Sequence, residues 1–240
     1  MKNLINEIAS CELLRNKNKD YTDDDKNKAR YFATKPFEIF DLKDLETHLL
    51  KWNSYLIYND ANLGQYASDI IHFIDYDDEI DFAGNNIDEI KLQHSQNLLI
   101  ECEKKEMCFN LLLDRIKLKF SRKLSFQELI KEIAIIDYRF FRIHPFEDGN
   151  GRTTRMLINA LLINQSYNPV AVNQKMNEEK INITKKINEL IYVFDMGTYL
   201  KSLENPFYKT KATESEELLL KPLENYYKQL IKVKEQEKTL

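Results

Sequence analysis

Apolar residues recur at helical spacing along most of this chain. Leu4, Ile5, Ile8, Leu13 and Leu14 outline an amphipathic helix near the start. Residues 16–28 are charged, with Asp23, Asp24 and Asp25 in the middle, and read as a solvated loop or a helix start. Phe37 to Tyr58 reads as a long helix with Phe37, Phe40, Leu45, Leu49, Trp52 and Leu56 on one side. The period then changes. Residues 69–74 are β-branched and aromatic, Tyr76, Asp77 and Asp78 are turn-like, and residues 79–82 alternate polar with apolar before Gly84, Asn85 and Asn86. That pattern predicts a β-hairpin. The helical period returns from Ile87 to Phe120, as one helix or two. Ser125 with Glu128 three residues later is a capping-box signature. The helix it opens carries Leu129, Ile130, Ile133, Ile136 and Phe140 and runs into His144-Pro145. The proline is expected to hold His144 extended, outside helical geometry. A further helix spans Thr153 to Asn164 and stops at Tyr167-Asn168-Pro169. The remainder to Leu240 is helical, with breaks near Pro206 and Pro222.

Composition supports this mainly α-helical reading. Five glycines and five prolines in 240 residues cannot supply the turns of a sandwich or barrel. A net charge of -4 and the lack of a basic stripe argue against nucleic acid as a partner. No apolar run approaches a membrane span, and the N-terminal pattern lacks the apolar core of a signal peptide. Cys11, Cys102 and Cys108 are odd in number and lack CxxC spacing, which suits free thiols in a reducing cytoplasm. His48, His72 and His94 stand alone, His48 and His94 as helix-face residues and His72 within the hairpin.

The chemistry concentrates between His144 and Arg155, where the chain reads His-Pro-Phe-Glu-Asp-Gly-Asn-Gly-Arg-Thr-Thr-Arg. Gly149 and Gly151 flank Asn150 immediately before an apolar helix. Glycines there let successive N–H groups converge, and the helix N-terminus adds its positive pole, an arrangement suited to phosphate. Arg152 and Arg155, three apart, are placed to reach phosphate oxygens. Asp148 offers a hard oxygen ligand for Mg²⁺. His144 is a base that titrates near neutrality, and Phe146 is an apolar plug for the loop. Together these residues suit attack by a hydroxyl on a nucleotide phosphate.

The stretch resembles the signature of the Fic family (filamentation induced by cyclic AMP), His-Pro-Phe-x-Asp/Glu-Gly-Asn-Gly/Lys-Arg-x-x-Arg, and matches it at every defined position. The resemblance implies a Fic-type helical bundle with a small β-hairpin flap over the active site. It implies an N-terminal helical segment at 1–36, a catalytic domain at 37–205 and a helical tail at 206–240. The implied activity is transfer of AMP from ATP to a Ser, Thr or Tyr hydroxyl of a target protein. Transfer of another nucleotidyl or phosphate-linked group, or an inactive nucleotide-binding module, are the alternatives. By position, His144 corresponds to the general base and Asp148 to the Mg²⁺ ligand. Gly149, Asn150 and Gly151 correspond to the anion hole. Arg152 corresponds to a phosphate support, Arg155 to the γ-phosphate receiver and Phe146 to a wedge into the core. Glu147 occupies the variable position. The 69–83 hairpin corresponds to the flap along which a protein substrate docks. Inhibition in this family uses Ser/Thr-x-x-x-Glu-Gly/Asn. Thr213 to Glu217 fits its first part only, so self-inhibition by the C-terminal tail and a separate antitoxin both stand as expectations.

Overall fold

The computed structural model describes residues 40–56, 102–146, 149–194 and 214–236. Those residues form helices and their connections. The hairpin expected at 69–83 and the helix expected near the N-terminus lie outside them.

A short 3-10 helix, Leu42–Asp44, leads into α1, Leu45–Leu56. The helix expected from Phe37 therefore starts later. Asp41 is extended (φ -120°, ψ 126°), and its carboxylate accepts the Lys43 N–H at 2.9 Å, which caps the chain at that point. Leu45, Leu49 and Trp52 are buried on the predicted face. His48 is a helix-face residue, as expected. Its Nε2 accepts the Asp41 N–H at 3.2 Å, and its ring stacks on Trp52.

Helix α2 covers Cys102–Phe120 and α3 covers Phe126–Ile143. The capping box of α3 is formed as the sequence predicts. Glu128 N–H donates to Ser125 Oγ, and Ser125 N–H donates to Glu128 Oε2 at 2.8 Å. Helix α4, Asn150–Asn164, begins earlier than Thr153 and ends before Tyr167-Asn168-Pro169. Ser166 ends it in left-handed backbone (φ 69°), with Tyr167 N–H on Leu162 O and Ser166 N–H on Ile163 O. This is a Schellman cap with serine in the usual glycine position. Helix α5 covers Gln174–Phe194, α6 covers Glu214–Leu219 and α7 covers Lys221–Gln236. Pro222 sits in the first turn of α7, where its missing N–H has no helical partner to lose.

Helix α3 is the centre of the bundle. It packs against α2, α4 and α7, while α1 packs on α4 and α7 also touches α5. Leu129, Ile130, Ile133, Ile136 and Phe140 are buried as the pattern predicts, but so are the charged residues Glu132, Asp137, Arg139 and Arg142. Charges in such surroundings need close partners. Glu132 accepts Arg115 Nε at 2.9 Å and Arg115 Nη2 at 3.0 Å, a two-point pair between α2 and α3. Arg142 lies over the Tyr138 ring at 5.7 Å. The connection before α3 is also tied down. Gln165 accepts Leu124 N–H and donates to Arg122 O, and Lys123 Nζ donates to Asn164 O at 2.8 Å.

Two outcomes follow for stability. Arg115→Ala leaves the buried Glu132 carboxylate only the more distant Lys119 Nζ, at 3.8 Å, and should cost about 1–3 kcal/mol in urea unfolding; no measurable effect would contradict a buried pair. The second concerns acid. The Arg122 guanidinium first, then the Ser125 backbone and hydroxyl, hold the Glu128 carboxyl at about 2, below its ordinary 4.5. Between those values the folded state binds fewer protons than the unfolded one. The cap's contribution is therefore present above pH 4.5 and lost as pH falls through about 2. The stability gap between wild type and Glu128→Gln should close over that window. Because both side chains are exposed, high salt should shrink it.

Candidate active site

The residues singled out in the sequence lie where α3 gives way to α4. His144 caps α3 in left-handed backbone (φ 47°, ψ 60°), and its N–H donates to Phe140 O at 2.9 Å. The expected extended conformation is thus corrected. Pro145 disfavours right-handed helical backbone at His144, and the left-handed cap satisfies that restriction while keeping a helical hydrogen bond. A non-glycine residue held there costs of order 1–3 kcal/mol, so its surroundings must impose it. His144 is indeed buried.

The surroundings that impose it are aromatic. Phe146 is completely buried, edge-on to Phe109 at 5.9 Å and tilted against Phe140 at 6.2 Å. It anchors the loop to the α2–α3 core, the role its apolar side chain suggested. Asn150 closes the loop from the other side. Its Oδ1 accepts Phe146 N–H at 3.0 Å and its Nδ2 donates to Phe146 O at 2.6 Å. One carboxamide thus satisfies both backbone groups of a buried residue. Asn150 was expected to contribute to an anion hole; its side chain is committed to the loop, and its backbone opens α4.

Gly149 is the N-cap of α4, with φ 77° and ψ 4°. A Cβ is strained there, which explains the glycine. Gly149 O accepts Thr153 N–H at 2.8 Å. The N–H groups of Asn150, Gly151 and Arg152 fall in the first turn, whose donors find no carbonyl within their own helix. Glu147 and Asp148 lie outside the described residues, so the expected metal ligand does too. Among the described residues no cluster of three or more His, Cys, Asp or Glu is placed to hold a metal ion.

The two arginines are not equivalent. Arg152 is half-exposed, whereas Arg155 is buried and donates from Nη1 to Asn177 Oδ1 of α5 at 3.4 Å. Gly151 makes room for that posture, because a Cβ at 151 would lie 3.3 Å from Arg155 Nη1. Behind Arg155 is a polar cluster that sequence reasoning did not find. Asp137 of α3 accepts Lys180 Nζ at 2.9 Å and Tyr227 OH at 2.8 Å. Asp137 stands seven residues before His144, on the same face of α3. That placement, a carboxylate within an apolar helix and in line with the histidine, was the available signal. Asn53 of α1 was also missed; its Nδ2 donates to Thr153 Oγ1 at 3.3 Å within the core. Glu217 lies on Lys131 Nζ at 2.6 Å. Lys131 is about 20 Å from His144 along α3 at helical rise.

Comparison with known proteins agrees with this arrangement. The model of the Fic/DOC family matches residues 43–162. A protein called "Protein adenylyltransferase Fic" from Aedes aegypti is 38% identical over 60 residues, 25% of this chain and 12% of that protein. One of the same name from Drosophila mojavensis is 41% identical over 56 residues, 23% of this chain and 11% of that protein. The match thus spans about a tenth of those relatives' length. A Fic-domain-containing signalling protein from Bacteroides thetaiotaomicron superposes with a TM-score of 0.64 at 18% identity, over 96% of this chain and 84% of that one. At that identity the likeness concerns the fold. The helical bundle is shared; the flap falls outside the described residues.

The loop geometry carries its own test. Asn150→Ala leaves the buried Phe146 N–H and C=O without their partner and should cost about 1–3 kcal/mol in urea unfolding. Gly149→Ala should cost roughly 1–2 kcal/mol from its left-handed backbone alone. Near-zero values for both would mean that the loop is not held in this conformation.

Proposed function

This chain belongs to the Fic/DOC family, and we propose that it is a protein adenylyltransferase, moving AMP from ATP to a Ser, Thr or Tyr hydroxyl of a target protein. The observation that carries this reading is the juncture of α3 and α4. A buried histidine in left-handed backbone ends one helix, and a left-handed glycine begins the next, whose first turns carry Arg152 and Arg155. Base, backbone donors and cations are thereby held by one clamped loop. The names of the insect relatives support the same chemistry.

In this mechanism a target hydroxyl oxygen bonds to the α-phosphorus as a ring nitrogen of His144 takes its proton. The bond from the α-phosphorus to the oxygen bridging the β-phosphate breaks, and pyrophosphate departs with the electron pair. First-turn N–H groups of α4 and Arg152 stabilise the phosphate charge in place, so little reorganisation is needed at the moment of reaction. Arg155 receives the γ-phosphate and orients the leaving pyrophosphate. Asp148, between the clamped Phe146 and Gly149, is the residue that would hold Mg²⁺, whose charge would offset that of the α- and β-phosphates. The 69–83 segment is the proposed docking edge, since main-chain pairing registers a hydroxyl with little demand on sequence.

Purified protein with Mg²⁺ and ATP labelled on the α-phosphate should label itself or a lysate protein. His144→Ala should lower the rate by about 10²–10⁴-fold, the usual worth of a positioned base. Label appearing only from the γ-phosphate would identify a kinase instead. Equal labelling by the alanine variant would remove His144 as the base.

A further inference from the structure

We propose that the C-terminal helix α7 is part of the phosphate-binding apparatus, with Tyr226 and Tyr227 as positioning residues that set Arg155 through the first turns of α5. The inference rests on the reading of Arg155 as a phosphate receiver.

The connections are continuous. Tyr226 OH donates to Met176 O at 3.1 Å, which pins the first turn of α5. The next residue, Asn177, accepts Arg155 Nη1. One turn on, Lys180 donates to Asp137 Oδ1, and Tyr227 donates to the other oxygen of the same carboxylate. Adjacent tyrosines of α7 thus reach two helices at once, α5 through Met176 and α3 through Asp137. Both rings are buried and meet edge-on at 5.1 Å. Burial first, then the Asp137 carboxylate, pushes the Tyr227 hydroxyl well above its ordinary range, so it stays a donor at any physiological pH.

Arg155, Asn159, Lys180, Tyr226 and Tyr227 line one partly open pocket, so the tyrosines and Arg155 share the same surroundings. Arg155 donates to Asn177 and passes close over Gly151, where an added Cβ would stand 3.3 Å from its Nη1. A shift of α5 therefore moves Asn177, and the hydrogen bond it accepts, relative to Arg155. The sign of the effect is the informative part. A tail that blocks the site would raise activity when loosened; a tail that positions Arg155 lowers it.

The test uses the full chain with Tyr226→Phe, Tyr227→Phe and the double variant, which keep the rings and remove the hydroxyls. The expected result is a KM for ATP raised about tenfold in the double variant, with kcat changed by no more than about twofold. Asn177→Ala, which removes the acceptor for Arg155, should raise the KM for ATP in the same way. A lowered melting temperature with unchanged KM, or increased activity, would overturn the proposal. Arg155→Ala is the reference. If it weakens ATP use and the tyrosine variants do not, this inference fails alone. If Arg155→Ala leaves KM unchanged, the phosphate role of Arg155 fails and takes the inference with it.

Discussion

Beyond Lys131 the helix α3 is buried almost all round, and each charge it carries there must find a partner. Glu132, Asp137, Arg139 and Arg142 all lie inside. Desolvating a charge is costly enough that its neighbours are chosen by it rather than the reverse. Glu132 draws in Arg115 and so docks α2; Asp137 draws in Lys180 and Tyr227 and so docks α5 and α7. The apolar stripe alone would let these helices slide or rotate on α3, since hydrophobic attraction has no direction. The polar pairs set their registers.

Those registers converge on the end of α3 that carries His144. The reversal into α4 needs left-handed backbone at both His144 and Gly149. Glycine accepts that conformation without strain and histidine does not. The difference is absorbed by the Phe109, Phe140 and Phe146 cluster and by the Asn150 carboxamide, which hold the loop against relaxation. Backbone strain of this kind survives only where packing over-determines it. Its coincidence with the histidine of the motif is what singles out the loop as the candidate site.

Much of this was legible in the sequence because the signals were local. Ser125 and Glu128 sit three apart and form their box within one turn; the apolar set of α3 repeats at helical period; Pro222 marks the start of α7. Local chemistry also misled in three places. Asp41 caps the chain later than the apolar period suggested. Pro145 suggested an extended His144, whereas the helix end supplied a left-handed alternative. Helix α4 starts at Asn150 rather than Thr153, because Gly149 serves as its N-cap. What was not legible is long-range. Nothing in the residues around Asp137 says that Lys180 and Tyr227 will meet it, because those contacts exist only once α5 and α7 are in place. The same holds for Asn53 with Thr153.

The two ends of helix α4 are treated unequally. Its carbonyl end is met from within the fold: the ammonium of Lys123 sits on Asn164 O and Ser166 Oγ. That cation offsets the negative pole. Its amino end opens on Gly149, which has no side chain to offer as a cap. The cation at the carbonyl end answers the negative pole, while the first-turn N–H groups at the other end receive no side-chain cap from Gly149. The ammonium of Lys123 thus spares the carbonyl end of α4 a search for other donors and ties the α2–α3 connection to the far end of the helix that begins at Gly149.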